Sequence, residues 1–135
     1  MANVHKSERF AIRSEADVVA LRQQVRRWAA EINFSIVDQT KLVTAASELA
    51  RNTVVYGGGG TALLELMHDS VRKGVRITFE DAGPGIPDIG LALRDGYTTG
   101  GGLGLGLGGA KRLVNEFAID SHPGVGTRIV VARWK

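Results

Sequence analysis

Residues Thr61 to Glu80 read TALLELMHDSVRKGVRITFE. Leu64 and Leu66, then Val75, Ile77 and Phe79, fall at every second position, the spacing of strands that bury one face. Between the two runs lies a polar segment from Asp69 to Gly74, which reads as a turn. The stretch is therefore a hairpin, with strands over Thr61 to Met67 and Val75 to Glu80. Two strands joined this closely must be antiparallel, because a parallel pair needs a crossover of a dozen or more residues. A doubly wound parallel sheet is disfavoured on that ground.

Working toward the N-terminus, Gly57 to Gly60 stops whatever precedes the hairpin. Before it, Ser35 with Asp38 gives a helix start, and the alanine-rich TAASELA favours a helix running to about Val55. An earlier helix begins at the N-cap Ser14, with Asp17 placed to reach back as in a capping box. Its apolar stripe is Val18, Leu21, Val25, Trp28 and Ile32, at alternating spacings of three and four. Arg9 to Arg13, RFAIR, alternates again and gives a first strand with Phe10 and Ile12 on one face.

Toward the C-terminus, DAGPGIPD from Asp81 holds two glycines and two prolines and is irregular. Ile89 to Arg94 reads as a short helix, and Gly96 to Gly109 as too glycine-rich for a stable element. Helix formers return over Ala110 to Phe117, and strands over Ala118 to Ser121 and Thr127 to Trp134 flank the turn HPGVG. The order β-α-α-β-β-loop-α-β-β predicts a two-layer α/β sandwich: a mixed, mostly antiparallel sheet covered on one face by helices. At 135 residues the chain fits one domain, residues 1–135, and can bury roughly two-thirds of its unfolded surface.

Composition narrows the chemistry. Apolar residues make up 44% and charged residues 23%, with mean hydropathy −0.01, so the chain as a whole is not disordered. There is no cysteine, hence no disulfide, thiolate metal site or cysteine nucleophile. His5, His68 and His122 lie far apart, so no local histidine metal motif exists. MANVHKSERF lacks a signal-peptide core and no apolar run approaches the ~18 residues of a membrane span, which predicts a cytoplasmic protein with no membrane partner. The net charge of +3 and pI near 9.6 come from small, interrupted groups (Arg26/Arg27, Arg72/Lys73, Lys111/Arg112). That pattern reads as a mildly basic surface and not as a nucleic-acid site.

The distribution of glycine points to function. Of 18 glycines none occurs before residue 57 and eleven fall between Gly83 and Gly109. Three spaced groups could carry chemistry. Glu48 and Asn52 stand one helical turn apart on one face; an Asn carbonyl suits a hard cation such as Mg²⁺, and a Glu can accept a hydroxyl proton, although a solvated helix face has the same spacing. Asp81, Gly83 and Gly85 follow a strand end, where a carboxylate can accept from an exocyclic amine and bare backbone admits a flat ring; a plain tight turn is the simpler reading. Gly100 to Gly109, GGGLGLGLGG, offers unhindered N–H groups to phosphate oxygens ahead of a helix whose first turn holds Lys111 and Arg112. Leucines at alternate positions, Leu103, Leu105 and Leu107, argue against a linker. Gly104 to Gly109 satisfies G-x-G-x-x-G but follows no buried strand, Gly-Lys-Ser/Thr is absent, and so are H-R-D and D-F-G. Dinucleotide, P-loop and eukaryotic-kinase readings therefore fail.

Taken together, Glu48…Asn52, Asp81-x-Gly83-x-Gly85, Gly102-x-Gly104-x-Gly106 and Gly126-Thr127 resemble the N, G1 and G2 boxes and closing Thr of the GHKL (Bergerat-fold) ATP-binding superfamily. That superfamily holds gyrase-type ATPases, Hsp-type chaperones, sensor histidine kinases and anti-sigma kinases. The resemblance spans roughly residues 9 to 134 and is closest to small bacterial switch serine/threonine kinases, in SELARN, EDAGPGIPDI, DGYTTGGGLGLGLGGAKRLVNEF and the final RW. It implies ATP and Mg²⁺ as cofactors. Asp81 would bind the adenine amino group with Thr127 supporting the ring, Asn52 would hold Mg²⁺, and Glu48 would act as base. Gly83 and Gly85 would lie by the base, while Gly102, Leu103, Gly104, Leu105 and Gly106 would belong to a lid over the phosphates that runs to Gly109. The resemblance further implies a STAS-domain protein substrate in a stressosome-type partner-switching module, and a PP2C-type phosphatase as a second partner. An anti-sigma-factor-like, nucleotide-dependent binding protein is the alternative; a detached histidine-kinase domain fits less well. The four glycines after Thr53-Val54-Val55-Tyr56 depart from the pattern and have no role in it.

Overall fold

The computed structural model describes residues 3–86, 90, 93 and 106–135. Strand β1 (Asn3–Ile12) leads into helices α1 (Glu15–Glu31) and α2 (Ile36–Val55). The hairpin β2 (Gly60–His68) and β3 (Lys73–Asp81) follows, then a short helix α3 (Gly106–Arg112) and the strands β4 (Glu116–His122) and β5 (Gly126–Trp134).

Both long helices start where their caps predict. Ser14 Oγ accepts from Asp17 N–H at 3.3 Å and Ser35 Oγ from Asp38 N–H at 3.1 Å. The return bond of the first cap goes one residue further back than in a capping box: Asp17 Oδ2 accepts from Arg13 N–H at 2.9 Å. In the second cap Asp38 instead pairs with Arg133 of β5, which also donates to Leu113 O at 2.9 Å. A single guanidinium thus ties the start of α2 and the chain after α3 to the sheet. Asn33, at φ 66, reverses the chain between α1 and α2; asparagine tolerates this left-handed region better than most residues.

The sheet order is β1-β2-β3-β5-β4, and all four pairings are antiparallel. The expected two-layer sandwich with a mostly antiparallel sheet is what forms. Register places Ala62, Leu64 and Leu66 beside Phe79, Ile77 and Val75, which in turn face Ile129, Val131 and Arg133. All of these but Arg133 are apolar and pack with Val18, Leu21, Val25, Leu42, Leu49 and Ala50 of the helices in one buried core. Phe79, 2% exposed, is among its largest members; truncation of such a side chain to alanine costs about 3–5 kcal/mol.

Two elements differ from expectation: β1 begins at Asn3 and not at Arg9, its added residues pairing with the far end of β2, and the third helix is displaced. The third helix spans Gly106–Arg112 and not Ala110 to Phe117, and Glu116 and Phe117 begin β4. Three glycines lower its intrinsic helicity by about 1 kcal/mol each relative to alanine, yet Leu107 and Ala110 are buried in the core and the helix packs on α2. Tertiary burial outweighs propensity here. Lys111 and Arg112 consequently occupy its last turn, not its first, and their charges complement the C-terminal end of the helix dipole instead of adding to a phosphate site at its start. The expected short helix over Ile89 to Arg94 lies almost wholly outside the described residues, as does the tract from 94 to 105.

Candidate active site

Phe79 and Asp81 point to the same, helix-covered face of β3, since alternate residues share a face. Asp81 is therefore the last rung of the core face, where the sheet emerges from beneath the helices. Its register partner in β5 is Thr127, whose partner in β4 is Ser121. Three polar side chains from three strands thus form one row: Asp81, Thr127, Ser121. Asp81 Oδ1 accepts from Gly83 N–H at 2.9 Å, which folds the chain back after the strand.

Backbone closes in on Asp81 from two sides, Gly57 on its carboxylate and Gly126 on its main-chain carbonyl. A Cβ on Gly57 would lie 2.5 Å from Asp81 Cγ, and one on Gly126 (φ +144) would lie 2.1 Å from Asp81 O. Gly83 in turn packs on Gly57, its added Cβ falling 2.8 Å from Gly57 Cα and O. Gly57, which the sequence left without a role, is thus the residue against which Asp81 rests. A carboxylate flanked by bare backbone can be approached closely by a flat ring.

The loop after Asp81 is held by the β4–β5 turn. Gly124 N–H donates to Pro84 O at 2.8 Å and Ile86 N–H to Ser121 Oγ at 2.8 Å. Gly85, at φ +79, sits where a Cβ would be 2.5 Å from His122 O. Gly83 and Gly85 are both required, the first by close packing and the second by its backbone angle as well. Ser121 is the site residue that sequence reasoning missed; its signal was the HPGVG turn, which places Ser121 opposite Thr127.

Glu48 and Asn52 come together on α2 as their spacing predicts. Asn52 O accepts from Tyr56 N–H at 2.9 Å and Gly57 N–H at 3.2 Å, so the helix end delivers Gly57 directly to Asp81. Gly60 seals the same corner: a Cβ there would be 2.0 Å from Glu80 O and 2.9 Å from Thr53 Cγ2. The Asn52 carboxamide is half-buried and makes no hydrogen bond among the described residues, leaving its oxygen available to a cation. Glu48, its side chain 13% exposed, accepts from Arg51 at 3.2 Å. No group of three or more His, Asp or Glu side chains is gathered as a metal site among the described residues. A cation held by Asn52 would therefore draw most of its ligands from phosphate and water, the usual arrangement for Mg²⁺. Gly102, Leu103, Gly104 and Leu105 lie outside the described residues, while Gly106 opens α3 beside α2. A cavity of about 410 Å³ lined by His5, Lys6, Glu31, Leu66, His68 and Lys73 lies at the opposite end of the sheet and shares none of these residues.

An antiparallel sheet under two helices, with an Asp at a strand end, a Thr on the neighbouring strand and an Asn on the covering helix, defines an ATP-binding class. The profile of histidine kinase-, DNA gyrase B-, and HSP90-like ATPases matches residues 37–135, and the chain belongs to this family. Within it the chain is an RsbT-like protein serine/threonine kinase. It is 49% identical over 123 residues to the serine/threonine-protein kinase RsbT of Bacillus subtilis (strain 168), covering 91% of this chain and 92% of that one. It is also 27% identical over 132 residues to the anti-sigma F factor of Geobacillus kaustophilus (strain HTA426), covering 92% and 88%. The fold is shared with the RsbU and RsbW domains of Rv1364c from Mycobacterium tuberculosis (TM-score 0.66, 23% identity, 96% of this chain and 33% of that one). It is shared as well with the mycobacterial sensor histidine kinase MprB (TM-score 0.57, 21% identity, 96% and 97%). No described helix is long and apolar enough to cross a membrane.

Proposed function

We propose that the chain transfers the γ-phosphoryl group of ATP to a serine or threonine of a STAS-domain protein in a bacterial partner-switching module of stressosome type, and that the free kinase then activates a PP2C-type phosphatase. The observation that carries the nucleotide site is the Asp81–Thr127 pair pressed between Gly57 and Gly126. Asp81 accepts from the adenine amino group, and Thr127 meets the neighbouring ring nitrogen directly. Gly83 and Gly85 keep side chains away from the ring. Residues Gly102, Leu103, Gly104, Leu105 and Gly106 supply the glycine backbone that covers the phosphates.

Mg²⁺, held by Asn52, would neutralise charge between the phosphates, the chief requirement of phosphoryl transfer. Glu48 takes the proton of the attacking hydroxyl; the new P–O bond forms at the γ-phosphorus as the bond to the bridging oxygen breaks, and ADP leaves. Arg51 lies beside Glu48 and orients its carboxylate.

Incubation with Mg-ATP and a cognate STAS protein should place phosphate on that protein, and Asn52→Ala or Asp81→Asn should each suppress the transfer. Undiminished transfer in both variants would overturn the site assignment. The relationship to anti-sigma F factors supports a second reading, a nucleotide-dependent binding protein for a sigma factor. Capture of a sigma factor, with no phosphate on any STAS protein, would favour it.

A further inference from the structure

Ser121 Oγ touches three polar atoms: Ile86 N at 2.8 Å, Gly126 O at 3.3 Å and Thr127 Oγ1 at 2.8 Å. A serine hydroxyl has one proton and two lone pairs. Ile86 N–H occupies one lone pair, which leaves one proton and one lone pair for the contacts to Gly126 O and Thr127 Oγ1. O–H···O bonds cluster near 2.7–2.8 Å, so the Ser121–Thr127 bond at 2.8 Å is the tighter of the two, and either hydroxyl can donate in it, whereas Ser121 can only donate to Gly126 O. When Ser121 donates in this bond, Thr127 accepts and keeps its own proton to donate elsewhere.

We propose that Ser121 is a positioning residue that fixes the polarity of the Thr127 hydroxyl, holding Thr127 as a hydrogen-bond donor toward the purine edge of the nucleotide. The inference rests on the placement of the base against Asp81 and Thr127 given above. Asp81 is an acceptor only, with Oδ1 already taken by Gly83 N–H. Beside it, a donating Thr127 makes the row an acceptor next to a donor. Adenine offers the complement, an amino donor next to the acceptor nitrogen N1. Were the Ser121–Thr127 bond reversed, with Ser121 donating to Gly126 O, Thr127 would present lone pairs to N1 and repel it. The same Ser121 oxygen holds the loop after Asp81 through Ile86 N–H, so one atom sets both the loop and the polarity of the row.

The test compares ATP with 1-deaza-ATP, in which N1 is replaced by C–H, by calorimetric titration of the full chain. One neutral hydrogen bond corresponds to a preference of roughly tenfold for ATP in the wild type. In Ser121→Ala that ratio should fall below about threefold, because the Thr127 hydroxyl is free to turn. Ser121→Thr, which keeps the hydroxyl, should retain it. Thr127→Val should show the same collapse, and adding Ser121→Ala to Thr127→Val should change the ratio no further. A tenfold ratio surviving in Ser121→Ala, or no ratio in the wild type, overturns the inference. Asp81→Asn separates the two levels. If it loses ATP while Ser121→Ala keeps the ratio, only the role of Ser121 fails; if it binds ATP as the wild type does, the placement of the base fails and the inference with it.

Discussion

Replacement of Gly57 by alanine probes the site without touching a proposed ligand. The new methyl would sit 2.5 Å from Asp81 Cγ and 2.6 Å from its Cβ and Oδ2. Carbon atoms in contact settle at about 3.5–4.0 Å, so the Asp81 side chain must retreat by roughly 1 Å. A hydrogen bond of ~2.9 Å stretched by that amount is lost. Hydrogen bonds to charged groups contribute about 1.5–3 kcal/mol, which predicts a roughly 10- to 100-fold weaker Kd for Mg-ATP. Gly57 is not among the glycines with positive φ, so the methyl strains no backbone, and the aspartate can rotate. The cost to folding should stay within the ~1–3 kcal/mol of ordinary overpacking.

Gly58→Ala is the matched control. Nothing lies within 4 Å of its added Cβ, but its φ is +73°. It should cost about 1–2 kcal/mol in backbone strain and leave nucleotide affinity unchanged. Calorimetric titration with Mg-ATP gives the affinities and thermal unfolding gives the stabilities. Wild-type affinity in Gly57→Ala, or an equal loss in Gly58→Ala, would refute the reasoning.

Asn52→Ala should lower phosphotransfer by roughly 100-fold or more, the scale of a lost metal contact, with little change in the melting temperature because the carboxamide makes no hydrogen bond among the described residues. Leu107→Ala should destabilise by about 2–5 kcal/mol if α3 unfolds with the rest; a smaller loss in global melting, with hydrogen exchange accelerated only in α3, would show that α3 opens alone. The Arg133 guanidinium bonded to Asp38 holds that carboxyl below the ordinary carboxylate range. The pair therefore contributes stability above the unfolded pKa of about 4 and loses it as pH falls through the lower folded value. Arg133→Gln should lower the melting temperature at pH 7, and the gap to wild type should narrow below about pH 4.

The long helices and the strands, apart from the first six residues of β1, were legible because their signals are local. Period-two alternation in Val75, Ile77 and Phe79, the serine caps at 14 and 35, and the glycine stop at 57 each act within a few residues. The position of α3 was not legible, since Leu107 and Ala110 are made helical by packing on α2, a contact distant in sequence. Site residues divide the same way. Glu48 and Asn52 follow from helix geometry, and Asp81 from the end of a strand. Gly57 matters through contact with a residue 24 positions later, and Ser121 through bonds to Ile86 and Thr127; the glycine run and the HPGVG turn mark a stop and a turn but not these contacts. The lid residues Gly102 to Leu105 remain an expectation of the sequence.

The central claim is that the nucleotide base lies at the Asp81 end of the sheet. Amide NMR spectra of ¹⁵N-labelled protein titrated with Mg-ATP test it most directly. The account predicts the largest shifts at Gly57 to Gly60, Asp81 to Ile86 and Ser121 to Thr127, with little change at the far end. Shifts centred instead on His5, Lys6, His68 and Lys73, with Asp81 and Thr127 unmoved, would contradict it.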